Sequence, residues 1–94
     1  MTSFKILLTD HAIYDLEEIP QEAKAQILDD IKSLGPSPFP HGSRIKRLKR
    51  FRRGPVYRLR SGGYRILYII RDEIIILRVI DRKLLDRAIK RLIK

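Results

Sequence analysis

YRLRSGGYRILYIIRDEIIILRVIDRK, residues 57–83, is the stretch whose periodicity decides the fold. Tyr57-Arg58-Leu59-Arg60 alternates apolar with charged side chains, the period of two that a half-buried strand requires. Ser61-Gly62-Gly63 follows, and glycine accepts the positive φ of a tight hairpin turn without steric cost. The chain returns through residues 64–70, turns at Asp72-Glu73, and returns again through residues 74–80. Three strands joined by short turns predict an antiparallel meander. Residues 74–80 are almost wholly apolar, so both faces of that strand need cover and it belongs inside the sheet.

Working upstream, residues 4–8 read as a first strand with Phe4, Ile6 and Leu8 on one face. Thr9 or Asp10 can cap a helix in which Ala12, Ile13 and Leu16 form the apolar stripe, and Pro20 ends that helix or starts the next. A second helix is predicted over residues 21–34, burying Ala23, Ile27, Ile31 and Leu34 while Glu22, Lys24, Asp29 and Asp30 face water. Gly35 and the run Pro36-Ser37-Pro38-Phe39-Pro40 cannot continue it. The basic run RIKRLKRFRR, residues 44–53, is either an irregular strand or a loop anchored by Ile45, Leu48 and Phe51. Downstream of the meander, Asp81 can cap a last helix with Leu85, Ala88, Ile89 and Leu92 buried and Lys83, Arg87, Lys90, Arg91 and Lys94 wet. The expected class is α+β. A curved antiparallel sheet of three to four strands plus an N-terminal strand packs on an N-terminal helical hairpin, with a short C-terminal helix, and residues 1–94 form a single domain.

Charge narrows the function. The chain carries 21 Lys+Arg against 11 Asp+Glu, a formal net charge of +10. Residues 1–43 hold three basic and seven acidic residues, net −4, so residues 44–94 carry +14. Such a half attracts a polyanion and releases its counterions, which places nucleic acid ahead of an anionic membrane surface or an acidic protein. With no cysteine there is neither a disulfide framework nor a thiolate metal site, which fits a reducing cytoplasm. His11 and His41 are too few for a metal cluster and read as exposed residues without a task, so neither metal nor cofactor is expected. The start MTSFKILLTD lacks the features of a signal peptide, and no apolar run approaches the ~20 residues that span a bilayer. A chain this small buries only about 60 to 65% of its unfolded surface, so a bound partner would help to stabilise it.

Paired carboxylates, Ser/His/Asp sets and metal ligands are not convincing here. What the chain holds in quantity is arginine set among tyrosines: Arg58, Arg60, Arg65 and Arg82 with Lys83, beside Tyr64 and Tyr68. A guanidinium holds a phosphate bidentately and neutralises charge that grows on it during displacement. RNA brings its own nucleophile, the 2′-hydroxyl, so a set of arginines on a rigid sheet can serve as a ribonuclease site by alignment and charge alone. Tyr64 and Tyr68 either stack a base or are core aromatics with hydroxyls toward water.

The signature of residues 57–83 resembles that of the RelE/ParE toxin superfamily: a YRxR strand, a Gly-containing turn, a GYRxxY strand, an acidic turn, an apolar strand and a final basic pair. The helical hairpin, the proline-bearing loop and the basic segment from Lys46 to Lys49 agree with it upstream. The resemblance implies a RelE-like microbial ribonuclease fold and the toxin half of a type II toxin–antitoxin pair. RelE-like members are messenger-RNA interferases that cut codons in the ribosomal A site, whereas ParE-like members inhibit DNA gyrase without enzymatic chemistry. Carried over by residue, the catalytic set is Arg65 on the scissile phosphate, Arg58 helping to activate the 2′-hydroxyl, and Arg82 at the leaving group or phosphate. Lys46, Lys49, Arg60, Lys83 and Tyr64 are the nucleic-acid-binding positions. Two departures stand out: the usual tyrosine after the late arginine is replaced by Leu85 or Asp86, and the second basic position of the RelE strand falls on Val56. The preferred expectation is a ribosome-dependent endoribonuclease that inhibits translation, with a gyrase inhibitor or a catalytically weak toxin-like binding module as the alternatives. The implied partner is a cognate acidic, RelB-like antitoxin that wraps the sheet, commonly in a heterotetramer.

Overall fold

A computed structural model of the chain describes residues 3–48 and 54–93. Among these the elements run β1 (Ile6–Leu8), α1 (Asp10–Glu17), α2 (Gln21–Lys32), β2 (Ile45–Arg47), β3 (Tyr57–Ser61), β4 (Tyr64–Ile70), β5 (Ile74–Asp81) and α3 (Leu85–Ile93). The strands form one sheet in the order β1-β5-β4-β3-β2. Strands β3 to β5 are the expected antiparallel meander, β2 extends it antiparallel to β3, and β1 adds to it parallel to β5. The α+β class is therefore as predicted, with β5 inside the sheet between β1 and β4. Within the basic run, Ile45–Arg47 is a true strand, while Lys49 and Phe51 lie outside the described residues.

The larger core lies between the sheet and α1 and α2. Ala12, Leu16, Ile27 and Ile31 pack there against Leu59, Ile66, Tyr68 and Ile76. A smaller core on the other face joins Val56, Leu67 and Ile80 to Ala88 of α3. The N-terminal pattern departs from expectation: Leu8 and Ile13 stay exposed, at 37% and 43%, because β1 is an edge strand and one flank of α1 faces solvent. Helix α2 stops at Lys32 rather than running to residue 34, yet Leu34 remains fully buried in the turn that follows. Asp30, expected to face water, is instead largely covered and hydrogen-bonded to the sheet.

Tyr68 settles one alternative in favour of the core. It is fully buried, its ring stacks on Tyr57 at 5.6 Å, and its hydroxyl donates to the Pro38 carbonyl at 2.7 Å. That bond pins the proline loop to the sheet.

Two features place side chains on the outer face. Gly62 takes φ +57 in the two-residue turn between Ser61 and Tyr64, which fixes the β3–β4 register. In β5 the register shifts, so that Leu67 opposes Arg78 while Tyr68 opposes Ile76, leaving Leu77 as the extra residue. Alternation changes phase there. Ile74 and Ile76 join the helical-hairpin core, whereas Arg78 and Ile80 share the opposite face.

Only three residues of β1 pair with β5, so the rest of that edge needs other partners. Thr9 caps α1 by accepting from the Ala12 N–H, and its hydroxyl donates to the carbonyls of Ile76 and Leu77. Farther along, Asp15 accepts from the Val79 N–H at 2.9 Å and from Arg78 at 2.7 and 3.1 Å. Asp81 caps as expected, but it accepts from the Lys83 N–H and opens a 3-10 turn, Arg82–Leu84, before α3 begins. No helix among the described residues is long and apolar enough to cross a membrane.

Candidate functional site

The strand register puts the predicted basic residues side by side. Lys46 of β2 opposes Arg58 of β3, which opposes Leu67 of β4, which opposes Arg78 of β5. In the neighbouring row Arg60 opposes Arg65, and Arg65 opposes Ile80. Directly opposed residues share a face of the sheet, so Lys46, Arg58, Arg60 and Arg65 lie on the face turned away from α1 and α2. Arg82 joins them at the end of β5, where its N–H donates to the Gly63 carbonyl at 3.0 Å.

The charges are close enough to perturb one another. Burial, then the neighbouring charges of Arg58, Arg60 and Arg82, lowers the pKa of Arg65, and Asp81 opposes the shift. Arg58 is lowered too, first by burial and then by Arg60. A guanidinium remains charged through any physiological pH, so the patch holds net positive charge that Asp81 offsets only in part. The ion pairs Arg44–Asp30 and Arg78–Asp15 involve none of Arg58, Arg60, Arg65 and Arg82. Arg78 is raised, foremost by its hydrogen bond to Asp15.

Arg65 is held by its own turn. Its Nη1 donates to the carbonyls of Gly62 and Tyr64 at 3.0 and 2.9 Å. The Nε–Nη2 edge then remains for a bidentate contact with a phosphate. Arg58 is buried to 9% exposure and reaches the Ser43 carbonyl at 3.4 Å, and Arg60 reaches the Ser43 hydroxyl at the same distance. Behind this loop stands Asp30 of α2, which accepts from Arg44 at 3.0 Å, from Gln26 at 3.1 Å and from the Ser61 hydroxyl.

Not every candidate joins the patch. Tyr64 opposes Asp81 and packs, half-buried, against the core on the helical-hairpin side, away from the arginines. Lys83 is exposed in the 3-10 turn, and Lys49 lies outside the described residues. Sequence reasoning passed over Arg78, whose signal was a lone charge inside an apolar strand. It also passed over Asp30, Ser43 and Arg44, which carry no motif. Beside the patch, an open groove between β5 and α3 has Ile80, Leu84 and Ala88 on its walls and Arg78, Arg87 and Arg91 around them. Where the tyrosine of RelE-like toxins was expected, Leu85 packs into the smaller core and Asp86 is exposed. No cluster of metal-ligating side chains occurs among the described residues.

Residues 6–84 match the family model of the ParE toxin of the type II toxin–antitoxin system parDE. The chain belongs to the RelE/ParE toxin family. Solved relatives agree with this assignment. The toxin is similar to a chain of the RelBE2 toxin–antitoxin complex from Mycobacterium tuberculosis, with 28% identity and a TM-score of 0.74 over 87% of this chain and 94% of that one. It is similar to a chain of the RelB–RelE antitoxin–toxin complex from Methanococcus jannaschii, with 27% identity and a TM-score of 0.68 over 87% and 96%. The archaeal RelE–RelB complex from Pyrococcus horikoshii shares the fold, with 23% identity and a TM-score of 0.72 over 87% and 97%. A comparison with curated protein sequences found no match. The toxin is thus a type II toxin–antitoxin component, and those three solved relatives are complexes with their antitoxins.

Proposed function

We propose that this toxin is a ribosome-dependent endoribonuclease that cleaves messenger RNA in the A site. The observation that carries this reading is the opposition of Arg60 and Arg65 across the β3–β4 hairpin, with the charges of Arg58 and Arg82 felt at Arg65 and no carboxylate paired with any of the four among the described residues. Like charges directly opposed on a sheet destabilise it, and a bound phosphate removes that cost. In the reaction, the 2′-oxygen attacks the adjacent phosphorus and the bond from phosphorus to the 5′-oxygen breaks. A 2′,3′-cyclic phosphate and a 5′-hydroxyl result, with one proton lost from the 2′-hydroxyl to water and one gained by the 5′-oxygen. Arg65 holds the scissile phosphate, Arg58 favours ionisation of the 2′-hydroxyl through its charge, and Arg82 stabilises the leaving oxygen. Lys46 and Arg60 hold the flanking backbone.

The test is primer extension on messenger from a translation reaction containing the toxin. Cleavage within A-site codons is expected, and Arg65→Ala should reduce its rate by at least ~100-fold, the scale of losing one oxyanion donor. Intact messenger at saturating wild-type toxin would end this reading.

A gyrase-directed reading has its own support, since the matching family model is that of ParE and no tyrosine follows Arg82 at residue 85 or 86. Loss of DNA supercoiling activity with intact messenger would select it. In either case an acidic antitoxin suits the groove beside α3, because apolar side chains can fill its floor and carboxylates can meet Arg87 and Arg91.

A further inference from the structure

We propose that Asp30 is a positioning residue for the arginine patch, acting from the opposite side of the sheet by clamping the backbone that carries Arg60. The proposal rests on the nuclease reading for its consequence in catalysis but not for its geometry. Three ties converge around one residue. The Arg60 N–H donates to the Arg44 carbonyl at 2.9 Å, the Arg44 guanidinium donates to Asp30 at 3.0 Å, and the hydroxyl of Ser61, next in the chain to Arg60, donates to the other oxygen of the same carboxylate. Asp30 thereby fastens α2 both to the segment entering β2 and to the end of β3. The Arg60 backbone is held between these two points. Because Arg60 opposes Arg65, and because Ser43, adjacent to Arg44, takes the side chains of Arg58 and Arg60, one carboxylate fixes the spacing of three guanidinium groups.

Charge explains why the device sits where it does. A carboxylate placed among the arginines would neutralise them and compete with a phosphate. Asp30 instead spends its charge on Arg44, outside the patch, and its effect travels through backbone and hydrogen bonds. Asp30 is mostly shielded while Arg44 is nearly half exposed, at 15% and 46% of their side-chain surfaces, so the tie has a rigid end in α2 and a solvated end in the loop.

The experiment compares wild type with Asp30→Asn, Asp30→Glu, Arg44→Gln and the double variant Asp30→Asn/Arg44→Gln. Its first readout is the single-turnover cleavage rate on programmed ribosomes at saturating toxin, set against the concentration giving half that rate. Its second is the set of Arg60, Arg65 and Arg82 side-chain Nε–H signals in a ¹⁵N-resolved NMR spectrum of the free toxin. Asp30→Asn should lower the saturating rate by roughly 10- to 100-fold, the cost of displacing a reacting group by up to about 1 Å, with a much smaller change in half-saturating concentration. Arg44→Gln should do the same, the double variant should be no worse than either single one, and Asp30→Glu should recover part of the rate. The Arg60 signal should shift in Asp30→Asn while that of Arg82 stays in place. Unmoved Arg60 and Arg65 signals overturn the proposal, as does a rate loss in the double variant that multiplies those of the singles. If wild type leaves messenger whole, the nuclease reading fails, and the NMR comparison still decides the positioning.

Discussion

Arg60 and Arg65 face each other on neighbouring strands, with no carboxylate paired to either among the described residues. This is a local cost to the fold, typically a few tenths of a kcal/mol to about 1 kcal/mol for one opposed pair. Arg60→Gln should therefore raise the thermal midpoint slightly while weakening affinity for a single-stranded RNA oligomer; a lowered midpoint would show that the arginine stabilises rather than strains the sheet. Arg65→Lys should behave more like Arg65→Ala than like wild type, because an ammonium cannot both satisfy the Gly62 and Tyr64 carbonyls and present a planar edge to a phosphate. Tyr68 offers a pH test. Burial first, and Tyr57 second, raises its phenol above the ordinary 10.0, so the folded state keeps the proton that the unfolded state releases. Its contribution is intact below about pH 10 and is lost as the pH climbs toward the raised value. Tyr68→Phe should cost about 1 kcal/mol at neutral pH for the lost bond to Pro38, and the difference from wild type should shrink above pH 10. A constant difference in urea unfolding across that range would refute the assignment. Of these residues, the arginines were legible as a set because their types and spacing are in the primary sequence. Tyr64 was not, since nothing in the sequence says which face of β4 meets the helices.

At the scale of elements, the short β1 leaves β5 with an edge that side chains must complete. Thr9 and Asp15 do so from α1, and each also serves a second group: Thr9 the helix cap, Asp15 the Arg78 guanidinium. Thr9→Ala should cost about 1 to 2 kcal/mol as a lost cap. Asp15→Ala should cost more, about 2 to 3 kcal/mol, because it leaves the Val79 N–H and a partly buried arginine without an acceptor. Chemical denaturation of both variants checks the order, and equal losses would show that the Asp15 contacts are replaced by water. The bulge at Leu77 is the other decisive element. With strict alternation Arg78 would follow Ile74 and Ile76 into the helical-hairpin core; the extra residue turns it to the arginine face and within reach of Asp15. In the run IIILRVI the lone charge at Arg78 is the one mark of that change of phase, because every other position is apolar whichever face it takes.

For the whole molecule the contrast between the two halves is an electrostatic layout. Residues 1–43, net −4, supply β1 and the helices α1 and α2 on one side, and residues 44–94, net +14, supply the rest of the sheet and α3. RNA binding should weaken steeply with salt. If Lys46, Arg58, Arg60 and Arg65 together engage about four phosphates, the logarithm of the affinity falls against that of salt concentration with a slope near −3. Fluorescence anisotropy across a potassium chloride series measures it, and a slope near zero would remove the patch from RNA recognition.

By itself the sequence determined the α+β order, the meander, the helix faces at Ile27 and Ile31, and the concentration of arginine in the second half. These follow from local period, turn chemistry and composition, each of which is written in consecutive residues. Tertiary structure alone decided that β1 runs parallel to β5, that Arg78 leaves the core, that Tyr64 stands apart from the arginines, and that Asp30 meets both Ser61 and Arg44. The reason is physical: a register, a bulge and a contact between Asp30 and Ser61 depend on which segments meet, and segments meet to bury apolar surface shared by distant parts of the chain.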